Sequence, residues 1–131
     1  MARMEWNQRE LDRLLNSRTG PVGKDLDDRA RRVEEAQKQR APVSADGSHG
    51  REPGYMRDSI TVAAGRDGEG QYRDIGPTAE TPEGAPYPLF VELGTKPHTI
   101  PGAFGREGEV QHPGTEAQPF IRPSIEVIRD Q

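Results

Sequence analysis

Apolar positions fall along this chain in a few short groups, each with its own period. Met4, Leu11, Leu14 and Leu15 share one side at helical spacing, with Glu5, Arg9, Glu10, Asp12 and Arg13 around the rest. That pattern predicts a short amphipathic helix over residues 4–16. Thr19-Gly20-Pro21 interrupts it, because proline lacks the amide donor and suits only a helix start. A second helix is predicted over 21–40, about 30 Å long at ~1.5 Å per residue. Its apolar stripe is thin: Leu26, Ala30, Val33 and then Ala36 or Gln37. Asp28–Arg32 and Glu34–Lys38 stand four apart, as favourable helical pairs do. Such a helix must lay one narrow face on something and expose the other.

Ala41-Pro42 ends the second helix, and residues 42–54 read as a polar loop with glycines and prolines. Ser59 to Ala64 alternates and is rich in β-branched residues, which predicts a strand. Gly65 to Gly70 reads as a turn, and Gln71 to Ile75 as the partner strand, with Tyr72 and Ile75 as its apolar side chains. After a second loop, 76–88, comes the most apolar stretch, Leu89-Phe90-Val91-Glu92-Leu93. Five residues do not decide between a helical turn and a strand, but Phe90, Val91, Leu93 and Phe120 are expected in the core. Residues 94–119 are loop-rich, with a hairpin whose arms are His98-Thr99-Ile100 and Glu109-Val110-Gln111 and whose tip is Pro101 to Gly108. It would set His98 against His112. A short helix over 123–129, with Pro123 in its first turn, would bury Ile121, Ile125 and Ile128 at i, i+4 and i+7. The expected architecture is α+β, with N-terminal helices and a short C-terminal helix packed on a small antiparallel sheet with long loops. It is read as a single domain over 1–131: a helical arm (1–20), a long helix (21–41), then sheet, hairpin and C-terminal helix (55–131).

Composition makes that core a lean one. Leu, Ile, Val and Phe are about 17% of the 131 residues, under the roughly 20% at which a folded core becomes doubtful. Gly 15 and Pro 12 add many turns, while 18 basic and 22 acidic residues leave a net charge of only −4. A small domain stabilised by its neighbours is the expected outcome. Without cysteine there is neither disulfide nor thiolate chemistry, and no apolar run approaches the ~20 residues of a membrane span. Met1 to Trp6 lacks the apolar segment of a secretory signal, so a protein made and kept in a cytoplasm, at least until it joins something larger, is expected.

Catalytic patterns are missing from the sequence. Gly20-Pro21-Val22-Gly23-Lys24-Asp25 lacks both the spacing and the Ser or Thr of a phosphate loop, and Gly65 to Gly70 has its glycines in the wrong order for a dinucleotide turn. Ser44, Ser48, Ser59 and Ser124 lie in no nucleophile elbow. His49, His98 and His112 form no closely spaced metal-binding pair. Arg29, Arg31, Arg32 and Arg40 share their helix with five carboxylates, unlike a dedicated nucleic-acid binder. The expectation is a protein that is not an enzyme and takes no cofactor or metal.

Four segments together resemble a known family. Arg40-Ala41-Pro42-Val43 followed by Gly54-Tyr55-Met56-Arg57-Asp58-Ser59-Ile60 is similar to its helix-end signature. Tyr87-Pro88-Leu89-Phe90-Val91-Glu92-Leu93-Gly94-Thr95 looks like its core, and Lys96-Pro97-His98-Thr99-Ile100 like its strand entry. His112-Pro113-Gly114-Thr115 through Pro119-Phe120-Ile121-Arg122-Pro123-Ser124-Ile125 resembles its closing motif. The family is that of the small neck proteins of tailed bacteriophages, called head–tail joining, tail-completion or minor structural proteins. Order and spacing agree over residues 40–128. The chain departs in a longer stretch from Pro42 to Tyr55, in Pro88, and in a shorter hairpin from Pro101 to Glu109.

The resemblance carries over a structural motif of Tyr87, Phe90, Val91, Glu92, Gly94, Thr95, His112, Pro113, Gly114, Pro119, Phe120, Arg122 and Pro123. Within it, Gly94 suits a positive φ just after the apolar segment. Pro119 and Pro123 stiffen the approach to the last helix. Glu92 and Arg122 are either a partly buried ion pair or two exposed charges. The implied function is a virion structural protein forming a homo-oligomeric ring, a hexamer or else a dodecamer, at the capsid–tail junction. Its implied partners are portal, adaptor or stopper proteins on the head side and tail-terminator or tail-tube proteins on the tail side. Double-stranded DNA would pass transiently and non-specifically, and no membrane is involved. Loops 42–54, 76–88 and 96–118 are the expected contact surfaces, while the long helix would either line the channel or face outward. The alternatives are a stopper or tail-terminator ring of the same particle, a cytoplasmic protein-binding module and, remotely, an enzyme.

Overall fold

Asn7 decides where the first helix begins. Its side chain accepts the Glu10 amide at 3.1 Å, capping a helix α1 over Gln8–Asn16 rather than one starting at residue 4. Met4 therefore precedes the helix, and none of α1 is buried. The computed structural model describes residues 2–43, 51–101 and 108–129; His49, much of the 42–54 loop and most of the hairpin tip lie outside them. Helix α2 spans Pro21–Arg40 as its sequence predicts, with proline at N1 and its end at Ala41, just before Pro42. Its buried face is Gly23, Ala30, Val33, Ala36 and Gln37, with Leu26 half-buried.

The α+β architecture is the expected one. After a four-residue helix α3, Tyr55–Asp58, strands β1 (Ile60–Asp67) and β2 (Gly70–Pro77) form an antiparallel hairpin, Ile60 opposite Pro77 and Asp67 opposite Gly70. Both strands outrun their sequence reading, and the turn shrinks to Gly68-Glu69, where Asp67 Oδ1 accepts the Glu69 amide at 2.8 Å. One face of the hairpin lies on α2. Tyr72 points the other way, 41% exposed above Gly65, so it is not the core residue its apolar ring suggested. Helix α4 (Tyr87–Leu93) follows, then a second antiparallel hairpin of β3 (His98–Pro101) and β4 (Glu109–His112). The chain closes in a 3-10 helix, Pro123–Ile128, against α2. With three residues per turn in place of 3.6, it buries Ser124 and leaves Ile125 51% exposed, so the expected Ile121-Ile125-Ile128 edge does not form.

The core sits at the C-terminal end of α2, where Ala41, Met56, Ile60, Ala79, Tyr87 and Phe120 meet, with Val91 and Ile121 packed on them. Ser59 braces it: its hydroxyl donates to the Met56 carbonyl at 2.7 Å and accepts the Thr78 and Ala79 amides. At the other end Arg73 does the fastening. Its side chain, only 3% exposed, donates to Asp27 Oδ1 at 2.6 Å, to the Gly23 carbonyl and to the Tyr72 carbonyl. Gln37 is buried midway; its Nε2 reaches the Ile75 carbonyl at 3.4 Å, and its Oε1 has no partner among the described residues.

Two stability predictions follow from these polar contacts. Arg73→Ala strips three acceptors of a charged donor and is expected to cost about 2 kcal/mol in urea unfolding, with Arg73→Lys recovering only part. Gln37→Met removes a buried amide that is half satisfied, and should leave the melting temperature unchanged or raise it.

Candidate functional site

Residues Tyr87 to Thr95 and His112 to Pro123 form one structural unit, and Glu92 is its fastener. A carboxylate in the middle of an apolar helix needs strong partners, and this one, 6% exposed, accepts three successive amides. Phe120 and Ile121 donate to Oε2 at 2.7 and 2.9 Å, and Arg122 donates to Oε1 at 3.0 Å. Burial alone would push the Glu92 carboxyl up. The amides of Ile121, Arg122 and Phe120 outweigh it, helped by the Arg122 charge, and hold it below the ordinary 4.5. The Arg122 guanidinium itself makes no ion pair with Glu92, so neither sequence expectation for that pair is met: the partners are backbone.

Two further ties complete the unit. The Gln118 amide donates to the Val91 carbonyl at 2.8 Å. Thr95 and Thr115 exchange backbone hydrogen bonds at 3.0 and 3.1 Å, and their hydroxyls lie 3.0 Å apart. Gly94 (φ +72) and Gly114 (φ +83) flank this bridge in the left-handed region. A Cβ on Gly94 would come within 2.8 Å of the Thr115 carbonyl oxygen, and one on Gly114 within 2.4 Å of that of Thr95. Next along the chain, His98 and His112 pair in register and stack with ring centroids 4.9 Å apart. His98 Nδ1 faces the Lys96 carbonyl at 2.7 Å and so carries its proton, whereas His112 Nδ1 accepts the Gly114 amide at 3.0 Å. Among the described residues no group of three metal-ligand side chains forms around them.

This fastening turns the apolar segment inside out. Tyr87, Pro88 and Glu92 are buried and Val91 is half-buried on the core, while Leu89, Phe90 and Leu93 are 51%, 43% and 51% exposed. Phe90 and Leu93 are therefore surface residues, against their sequence reading; Phe120, fully buried, is the core residue expected. Pro113 and Pro119 are exposed, and Pro123 opens the 3-10 helix. Phe90 separates two depressions. One, of about 330 Å³, runs between Val43, Tyr55, Met56 and Gln118; the other lies between Leu89, Leu93, Pro97 and His98. Ser124, whose hydroxyl donates to the Ile121 carbonyl, and Ser59 carry structural weight that the sequence reading passed over. The short spacing from Pro119 to Pro123 was the available signal for the first, and Ser59 at the mouth of a strand for the second.

Most of the outward basic side chains of α2 are paired with carboxylates of the same helix. Arg29 pairs with Asp25 at 2.9 Å, Arg31 and Arg32 with Asp28 at 2.8 and 2.7 Å, and Lys38 with Glu34 at 2.8 Å. The long helix thus has no bare basic stripe for phosphates. Among the described residues no helix is long and apolar enough to cross a membrane.

Glu92→Gln keeps the shape but points an amide at three N–H donors, and is expected to cost about 3 kcal/mol at neutral pH. Because folding lowers this carboxyl below its unfolded value, its stabilisation is complete above the unfolded value and is lost as pH falls through the folded one. Thermal melts should therefore show the gap between wild type and Glu92→Gln closing below pH 4.5.

No family model, curated protein or solved structure matches the chain.

Proposed function

We propose that this chain is a non-enzymatic structural protein of a tailed-phage virion, closing into a ring at the capsid–tail junction. The observation that carries the reading is the apolar face of α4, held rigidly outward by the Glu92 fastener. Monomeric proteins seldom expose such a cluster without a binding role, and large apolar side chains at the centre of a contact are what assembly interfaces use.

The four resembling segments support it as well. They supply Ala41, Met56, Ile60, Tyr87 and Phe120, five of the six buried residues clustered at the end of α2, and their remaining positions shape the Thr95–Thr115 bridge and the hairpin base. A signature made of core, turns and one exposed apolar face is what a building block requires. The self-paired charges of α2 and the net charge of −4 suit a part past which DNA slides without adhering. The acidic balance raises no attraction for a polyanion, and the local ion pairs leave few free cations.

Cryo-electron microscopy of particles made by a phage carrying this gene tests the reading. A ring of this chain is expected between portal and tail, and deletion of the gene should leave DNA-filled heads and unattached tails. Particles that lack the chain but join heads to tails normally would reject it.

A further inference from the structure

The second hairpin is held at its base. β3 and β4 pack chiefly on each other and lean on no other helix or strand to a similar extent. Beneath them lie the Thr95–Thr115 bridge, Gly114 in its left-handed turn, and His98 opposite His112 as the pair that closes the ladder. Gly114 is wedged in place. A Cβ there would stand within 2.9 Å of the Thr95 carbonyl oxygen, the Lys96 carbonyl carbon and the Pro97 nitrogen.

The two imidazoles play different parts. A carbonyl oxygen only accepts, so His98 Nδ1, 2.7 Å from that of Lys96, bears the proton and Nε2 the lone pair. His98 is exposed, and a proton from solvent settles on Nε2 with that hydrogen bond intact. His112 is the reverse. Its Nδ1 accepts the Gly114 amide at 3.0 Å, so the ring is neutral, with the lone pair on Nδ1 and the proton on Nε2. The nitrogen of His112 that can take up a proton is therefore the one that anchors Gly114. A proton added there sets N–H against N–H, and the ring must swing away and leave the amide to water.

Few charges surround it. His98 lies across the ladder with ring centroids 4.9 Å apart, Lys96 sits in the turn packed on Gly114, Glu116 follows the bridge, and Glu109 stands opposite Pro101 at the ladder's other end. His98, Lys96 and Glu116 are exposed and form no ion pair among the described residues, so none of these holds a charged His112 in its present position.

We infer that His112 is a proton-operated pin. Neutral, it fastens Gly114 and with it the direction of the second hairpin; charged, it lets the hairpin base go. Imidazole changes charge between about pH 5 and pH 8, so release belongs to mildly acidic solution. That range lies above the one in which the Glu92 carboxylate is lost, so the two events separate. The motion is internal to one chain and goes beyond the ring reading without depending on it.

Solution NMR of the ¹⁵N-labelled full chain tests it. At about pH 7.5 the His112 ring should carry its proton on Nε2, and the Gly114 amide should be protected from exchange. At about pH 5.5 the ring should bear both protons, and the protection factor of Gly114 should fall at least ~tenfold, with smaller losses at Thr95 and Thr115. The amides of Phe120, Ile121 and Arg122, held by Glu92, should keep theirs. His112→Asn offers an acceptor oxygen that does not titrate and should abolish the fall, whereas His98→Gln should leave it in place. No fall at Gly114 in the wild type, or a neutral His112 with its proton on Nδ1, overturns the inference without recourse to any variant. A fall as large in His112→Asn as in the wild type, or one abolished by His98→Gln, overturns it equally.

Discussion

One carboxylate decides how the second half of this protein is arranged. Glu92 takes three consecutive amides, those of Phe120, Ile121 and Arg122, so the position of α4 and the path of the closing segment are fixed together. Charged acceptors form the strongest of the ordinary hydrogen bonds, and three on one side chain offset the cost of burying it. From this follow the depth of Phe120 in the core, the approach of Gln118 to Val91 and the outward turn of Leu89, Phe90 and Leu93. A core with as few large apolar residues as this one leans heavily on such polar fasteners. Arg73 plays the matching part at the opposite end, tying β2 to the first turns of α2.

What the sequence made legible was whatever a local rule governs. Gly20-Pro21 and Ala41-Pro42 mark both ends of α2, and its stripe from Ala30 to Gln37 is the buried one. Alternation found β1 and β2, and the second hairpin has the predicted arms, His98 facing His112 across them. The misses share a cause: competing local chemistry, or a segment too short for its period to speak. Asn7 capped a helix that apolar spacing had begun at Met4, and α3, four residues after a left-handed Gly54, offers no periodicity at all. At the C-terminus the isoleucines kept α-helical spacing while the backbone wound more tightly, which brought Ser124 inward instead of Ile125.

The apolar run in α4 shows the limit most clearly. Hydrophobicity alone places Leu89, Phe90 and Leu93 inside, yet the helix buries the one carboxylate among them and presents three apolar side chains to solvent. The clue lay in Glu92 itself, since an acid in such a run is either misplaced or spoken for. Its partners were backbone groups almost thirty residues away, and a linear reading has no means to name a backbone partner. The motif was legible as a set of residues; the direction it faces came only with three dimensions.

The ion pairs along α2 have an electrical consequence. A guanidinium locked to a carboxylate one turn earlier acts at a distance as a dipole, whose field fades faster than that of a bare charge. Bound in this way, four of its cations, Arg29, Arg31, Arg32 and Lys38, face three carboxylates, Asp25, Asp28 and Glu34, and this local pairing weakens the field along the outer wall of the helix before mobile ions screen it. Dissolved salt then has little left to alter there, and that wall should behave alike in dilute buffer and in the crowded ionic interior of a cell.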